Sequence, residues 1–131
     1  MGFVKLLLDT CTFLWLALPQ GKLSPTATGM LDDPANMLFI SDASVWEISL
    51  KHAAGKLPLP DQPRKWLPRR LAFFQVQTLA LTHEAFFRSG ELPRIHNDPF
   101  DRLLAAHAIE EGMTILSPDQ SLSMLYASRV W

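Results

Sequence analysis

The fold of this chain is decided by the segment His96–Ala108, which reads HNDPFDRLLAAHA. Asp98 is placed to be the N-cap of a helix, because Pro99 suits the first helical position, where its missing N–H costs nothing. Almost every residue after Asp101 is apolar, so this helix is expected to be buried. Acids at a helix start offset the helix dipole, and they also serve as metal ligands if further acids converge on the same point.

The composition is that of an ordinary globular domain. Apolar residues make up 48% and charged residues 19% of the 131 residues, which are expected to form a single domain, 1–131. The formal net charge of −1 argues against nucleic-acid binding by bulk charge alone, while a local basic patch stays open. A single cysteine, Cys11, excludes an intramolecular disulfide, and Asp9 interrupts the apolar N-terminal stretch. We therefore expect a cytoplasmic protein without a signal peptide or membrane span.

Apolar runs and helical segments are predicted to alternate along the chain. This alternation is typical of a three-layer α/β/α fold with a central, mostly parallel sheet, here of four to five strands. Strands are predicted at Phe3–Leu8, Met37–Ile40, Gln75–Leu79 and Met113–Ser117, with Arg129–Trp131 as an edge strand. Helices are predicted at residues 12–18, 24–32, 44–55, 61–73, 98–112 and 121–127, and from 82 to 90 or 93.

The third and fourth predicted helices carry local signals. Ser44 and Glu47 have the spacing of a capping box, which would give Glu47 a structural role. Lys51 lies four residues after Glu47, the favourable direction for a helical ion pair, and Gly55 would end this helix in a left-handed conformation. Pro68 is expected to break or kink the next helix.

That next helix also carries the one dense basic cluster in the sequence. Such clusters usually form a solvated face, but this one is also the first candidate for contact with phosphate groups. Its residues are Arg64, Lys65, Arg69 and Arg70.

Four acids are expected to meet at one edge of the sheet. Asp9 and Asp119 each follow a predicted parallel strand, and Glu47 and Asp101 are each predicted in the first turn of a helix. Strand carboxyl ends and the starts of the following helices share one edge, so these carboxylates should crowd together, with Asp98 as a candidate fifth. Because crowded anions repel, a hard divalent cation would relieve them, and oxygen ligands favour Mg²⁺ or Mn²⁺ over zinc.

The histidines do not have the spacing of a zinc site. His107 lies six positions after Asp101 and is expected to pack or to make structural hydrogen bonds. His52, His83 and His96 have no motif partners, so the predicted metal site contains oxygen ligands alone.

Five short motifs, in order along the chain, resemble those of PIN-domain ribonucleases, most closely the VapC-type toxins of bacterial type II toxin–antitoxin pairs. The resemblance covers essentially the whole chain, and the motifs are specific as a set rather than singly. They are Leu6–Thr10 (LLLDT), Ser41–Lys51 (SDASVWEISLK), Gly55–Leu57 (GKL), Asp98–Arg102 (DPFDR) and Ser117–Asp119 (SPD).

The resemblance implies a PIN-like fold and Mg²⁺- or Mn²⁺-dependent hydrolysis of RNA. The metal-binding acids of the family match Asp9, Glu47, Asp101 and Asp119, with Asp98 at the less certain acidic position. Asp9 and Asp101 would be the main ligands, and Glu47 and Asp119 would bind directly or through water. One departure is Cys11, where this branch more often has His.

Supporting roles follow from the same resemblance. Lys51 would hold Glu47 in place, and three hydroxyl residues would orient water or carboxylates unless they are only caps or turn residues. These hydroxyl residues are Thr10, Ser44 and Ser117.

The resemblance also implies a homodimer bound by an antitoxin, whose Arg or Lys could compete with the metal. Most of the four tryptophans should be core residues. The better candidates for exposure in a partner groove are Trp15, Leu16, Leu18, Trp66 and Leu67.

Two other classes of protein remain as alternatives. Haloacid-dehalogenase-like phosphatases also begin with a strand-end Asp, but they require a second Asp two positions later, where this chain has Cys11. The other alternative is a non-catalytic domain, either a binding module in which every acid is a cap or a PIN-like scaffold without activity. Binding of Mg²⁺ or Mn²⁺ by the purified protein distinguishes the binding module from a nuclease, and the four intact acids argue against the scaffold.

Overall fold

Five parallel strands form one sheet in the computed structural model, which describes residues 4–131. The strands are β1 (Lys5–Leu8), β2 (Met37–Ser41), β3 (Val76–Leu79), β4 (Thr114–Leu116) and β5 (Arg129–Val130). Their order across the sheet is β3-β2-β1-β4-β5, and every neighbouring pair is parallel. The predicted α/β class is confirmed; Phe3, predicted to begin the first strand, lies outside the described residues.

Seven helices accompany these strands between residues 4 and 131. They are α1 (Thr10–Ala17), α2 (Pro25–Asp32), α3 (Asp42–Ala53), α4 (Pro63–Phe74), α5 (His83–Glu91), α6 (Pro99–Glu111) and α7 (Ser121–Met124). None of them combines the length and apolar character that would let it cross a membrane.

Side-chain alternation in the central strand β1 builds an apolar core on each face of the sheet. Leu7 packs on the side covered by α6 and α7, whereas Leu6 and Leu8 pack on the side covered by α1, α3 and α4. All three leucines are fully buried. Because both faces of the sheet are covered, the two central strands β1 and β2 are apolar from Leu6 to Leu8 and from Met37 to Ile40.

Helix α3 begins earlier than its sequence motif predicts, so the predicted capping box is wrong. Ser41, not Ser44, is the N-cap, and its Oγ accepts the N–H of Ala43 at 3.0 Å. The physical reason is that β2 runs directly into α3 without a loop. Ser44 therefore lies inside the first turn, and Glu47 lies in the second turn rather than the first.

Helix α4 differs from its prediction in two respects. It runs unbroken through Pro68, which lies on its exposed face. Trp66 and Leu67 were expected to be exposed, but both are buried against the core that contains Phe13. The large exposed tryptophan is instead Trp46, 58% exposed on α3.

Candidate metal centre

All five predicted acids line one cavity of about 380 Å³ at the carboxyl edge of the sheet. Two of them follow β1 and β4, one lies on α3, and two lie at the start of α6. Lys51 and Lys56 line the same cavity, so two ammonium groups face five carboxylates. The acids are Asp9, Glu47, Asp98, Asp101 and Asp119.

Asp9 joins the end of β1 to the start of α1. It is the N-cap of α1, and its Oδ1 accepts the N–H of Thr12 at 2.8 Å. Its Oδ2 accepts a hydrogen bond from Ser117 Oγ, and the Cys11 thiol lies 3.3 and 3.4 Å from its two oxygens. Only 7% of Asp9 is exposed, so these contacts fix the orientation of a buried carboxylate.

Glu47 is held from two sides. Thr10 Oγ1 donates to Glu47 Oε1 at 2.6 Å, and Lys51 Nζ donates to Oε2 at 2.6 Å. Ser44 Oγ lies 3.0 Å from Thr10 Oγ1 and extends this network. The hydrogen bond with Glu47 raises the pKa of Lys51, which keeps its ammonium charged beside the carboxylate.

The two acids at the start of α6 have different roles. Asp98 is an exposed N-cap whose Oδ1 accepts the N–H of Phe100 at 2.9 Å. Asp101 is half-buried, and burial raises its pKa. The hydrogen bond from His96 opposes that rise, while the charges of Asp98 and Asp119 add to it. Asp101 is therefore a crowded carboxylate of the kind that a cation stabilises.

Asp119 lies just after β4 at the same edge of the sheet, and His96 lies beside it. Asp119 Oδ1 accepts from the backbone N–H and the hydroxyl of Ser121, at 3.0 and 2.7 Å. His96 Nε2 lies 2.7 Å from Asp101 Oδ2. One nitrogen of His96 and one oxygen each of Asp101 and Asp119 all lie within 4.8 Å of one another.

Sequence reasoning missed three residues of this site. His96 was assigned no partner, because its place five residues before Asp101, outside the N-cap, is not a motif that indicates one. Lys56 and Phe100 line the cavity, and the Phe100 ring packs against Trp46 with centroids 5.3 Å apart.

The predicted basic cluster lies apart from the acids. None of its four residues lines the acidic cavity. Arg69 and Arg70 line a second cavity of about 320 Å³, next to Trp66 and Leu18. Lys51 and Lys56 are the lysines at the acidic cavity itself.

His107 is structural, as the sequence predicted. It is fully buried, its Nδ1 lies 2.9 Å from Ser41 Oγ, and its Nε2 lies 3.1 Å from the Ala80 carbonyl. Burial lowers the pKa of His107, so the ring stays neutral. It therefore links α6 to the ends of β2 and β3 rather than binding a ligand.

The donor set of the cavity fits a divalent cation. Carboxylate oxygens are the ligands that Mg²⁺ and Mn²⁺ prefer, and the two lysines do not balance five acids. The donor atoms that lie together are those of His96, Asp101 and Asp119, while Asp9, Glu47 and Asp98 line the same acidic cavity as Asp101 and Asp119.

A family model described as the PIN domain matches residues 6–127. No curated protein sequence matches the chain.

Solved structures similar to this fold include a chain of VapBC2 from Rickettsia felis, in a complex bound to a DNA fragment from the VapBC2 promoter. The TM-score is 0.70 and the sequence identity is 18%, and the match covers 97% of this chain and 98% of the other. A chain of FitAcB from Neisseria gonorrhoeae has a TM-score of 0.67 and 19% identity, covering 96% of each chain. A chain of a toxin–antitoxin complex from Klebsiella pneumoniae has a TM-score of 0.63 and 16% identity, covering 95% of each chain.

Proposed function

Because the chain belongs to the PIN-domain family, we propose that it is a metal-dependent endoribonuclease that acts as the toxin of a toxin–antitoxin pair. The observation that carries this proposal is the convergence of five carboxylates on one cavity at the carboxyl edge of the sheet. Such a site suits phosphodiester hydrolysis, since cations held there stabilise charge on phosphate oxygens.

Asp9 and Asp101 are the main metal ligands in this proposal. Glu47 and Asp119 bind the ion directly or through water, and Asp98 caps α6 at the rim. Bound Mg²⁺ or Mn²⁺ would supply a Lewis acid and orient the attacking water.

The remaining side chains hold this arrangement. Thr10 and Lys51 fix the two oxygens of Glu47, and Ser117 fixes Asp9. Lys56 lies at the cavity with its ammonium available to an RNA phosphate. The basic cluster on α4 would contact RNA farther from the scissile bond.

Family membership also bears on the alternatives. It argues against a haloacid-dehalogenase-like phosphatase, which the Cys11 position already disfavoured. A non-catalytic scaffold would have no need for five acids at one cavity, since neither Glu47 nor Asp101 caps a helix.

The substrate is tested with single-stranded RNA and DNA of one sequence, incubated with the purified protein in Mg²⁺, in Mn²⁺ or in EDTA. We expect internal cleavage of the RNA with either metal and none with EDTA. Cleavage of DNA alone would reject the ribonuclease, and cleavage that persists in EDTA would reject the metal.

An antitoxin and a second copy of the chain are the proposed partners, in the cytoplasm. The similarity to a chain of a toxin–antitoxin complex supports the first of these. An antitoxin Arg or Lys placed near Asp9 or Asp101 would compete electrostatically with the metal. A complex that leaves the five acids open to solvent would reject this mechanism of inhibition.

The homodimer is tested by light scattering on the isolated protein. We expect twice the monomer mass at tens of micromolar protein. A strictly monomeric species would reject the homodimer without affecting the proposed catalytic site.

A further inference from the structure

We propose that His96 supplies a nitrogen ligand to the metal centre, so that the site selects Mn²⁺ over Mg²⁺. This inference rests on the proposed function, since it concerns the same site. It also corrects the sequence-based expectation that the site contains oxygen ligands alone.

The imidazole of His96 lies against two of the acids. Its Nε2 is 2.7 Å from Asp101 Oδ2, and one of its ring nitrogens is within 4.8 Å of a carboxylate oxygen of Asp119. Two atoms bound to one ion at about 2.1 Å lie at most ~4.2 Å apart. Small side-chain adjustments therefore bring the three donors onto a single ion.

The segment that carries His96 is anchored by Arg102. Arg102 is buried, and its guanidinium donates five hydrogen bonds to backbone carbonyls, including a bond of 2.9 Å to the carbonyl of His96. The other four bonds go to carbonyls of the preceding segment, namely those of Ser89, Leu92 and Pro93. No carboxylate pairs with Arg102 within residues 4–131. Arg102 therefore holds the backbone between Ser89 and His96, and one of its five hydrogen bonds anchors His96 itself.

An imidazole ligand favours transition metals over Mg²⁺. Mg²⁺ binds oxygen almost exclusively and keeps several waters, whereas transition metals accept imidazole. When the proton is on Nε2, this nitrogen donates to Asp101. When the proton is on Nδ1, Nε2 has a free lone pair that can bind an ion. A site with one imidazole and several carboxylates therefore favours Mn²⁺ over Mg²⁺.

His96 could alternatively act only through Asp101, as a hydrogen-bond donor that orients the carboxylate. The variant His96→Gln separates the two roles, because the glutamine amide can still donate to Asp101 but has no imidazole nitrogen. His83→Gln is the matched control, since His83 is exposed on α5 and does not belong to the group of donors formed by His96, Asp101 and Asp119.

The experiment is pulsed electron paramagnetic resonance on the full chain with one equivalent of Mn²⁺, read for modulation from a directly bound ¹⁴N nucleus. Mn²⁺ and Mg²⁺ affinities are measured on the same samples by calorimetry. We expect ¹⁴N modulation in the wild type and in His83→Gln and its loss in His96→Gln. The Mn²⁺ affinity should fall roughly tenfold or more in His96→Gln, while the Mg²⁺ affinity changes less.

Bound Mn²⁺ without ¹⁴N modulation in the wild type would overturn the inference and leave the proposed nuclease intact. Modulation that persists in His96→Gln would also overturn it. Failure of the wild type to bind either metal would instead count against the proposed function itself.

Discussion

Ser117 Oγ donates a hydrogen bond to Asp9 Oδ2, across 108 positions of sequence, and so joins the ends of β4 and β1. The same hydroxyl accepts the backbone N–H of Asp119 at 3.0 Å. One buried serine therefore positions two of the five acids. The site depends on this pairing of parallel strands, because neither acid lies near the other in sequence.

Replacing Ser117 by alanine is expected to weaken metal binding roughly 10–100-fold, since the side chain orients a ligand without binding the ion. The free energy of unfolding should fall by about 1–2 kcal/mol, because the Asp119 N–H loses its acceptor. Calorimetry with Mn²⁺ and urea denaturation measure the two effects. Ser49→Ala, at an exposed position on α3, is the control. Equal metal affinity in Ser117→Ala and the control would contradict the role of this hydroxyl.

Thr10 offers a matched pair of variants. Thr10→Val removes the hydroxyl that holds Glu47 Oε1 and keeps the shape, so we expect RNA cleavage to fall by about 10–100-fold. Thr10→Ser keeps the hydroxyl and should retain most of the activity. Initial cleavage rates in saturating Mn²⁺ provide the comparison. If valine and serine gave the same rate, the Thr10–Glu47 hydrogen bond would have no catalytic importance.

The raised pKa of Asp101 predicts how the metal-free protein responds to pH. In the unfolded chain the aspartate loses its proton above pH 3.8, whereas Asp101 in the folded protein keeps its proton to higher pH because its pKa is raised. The free energy of unfolding therefore falls as the pH rises from 3.8 through the raised pKa. Asp101→Asn in EDTA should therefore be more stable than the wild type at pH 7, with the difference vanishing below pH 3.8. Urea denaturation across this range measures it. A variant less stable than the wild type at pH 7 would contradict the crowding of acids.

The basic cluster on α4 is tested by salt dependence. Changing Arg64, Lys65, Arg69 and Arg70 to glutamine should weaken RNA binding at low salt. The slope of log affinity against log salt concentration should also decrease in magnitude by ~0.7 for each RNA phosphate that the cluster neutralises. Binding is measured by fluorescence anisotropy with an inactive Asp101→Asn background. Lys5→Gln, at the opposite end of β1 from the acids, is the control. An unchanged slope would make the cluster a solvated face or a partner surface.

Much of the fold was predictable because its signals are local. The apolar runs end at Asp9 and just before Asp119, and Asp98-Pro99 marks the start of α6, so the sheet and the edge that holds the acids follow from adjacent residues. The start of α3 did not follow, because Ser41 and Ser44 are both good caps. Only the direct passage of β2 into α3 decides between them.

The position of His96 could not be read from the sequence. It depends on Arg102, whose guanidinium binds carbonyls of a segment up to 13 residues earlier. The burial of Trp66 and exposure of Trp46 were likewise settled by tertiary packing, since both lie on helices whose sequences do not show which face meets the sheet. These features depend on contacts between residues that are distant in sequence, so no short motif predicts them.

In the proposed function, the carboxylates catalyse RNA cleavage through a bound divalent ion. The most direct test is the cleavage rate of one RNA in Mn²⁺ by the wild type, Asp9→Asn and Asp101→Asn, purified identically and shown to be folded by circular dichroism. We predict cleavage by the wild type that EDTA abolishes, and cleavage at background level by both variants. Folded variants that cleave RNA at the wild-type rate would contradict the claim, because a contaminating nuclease or a different site would then be responsible.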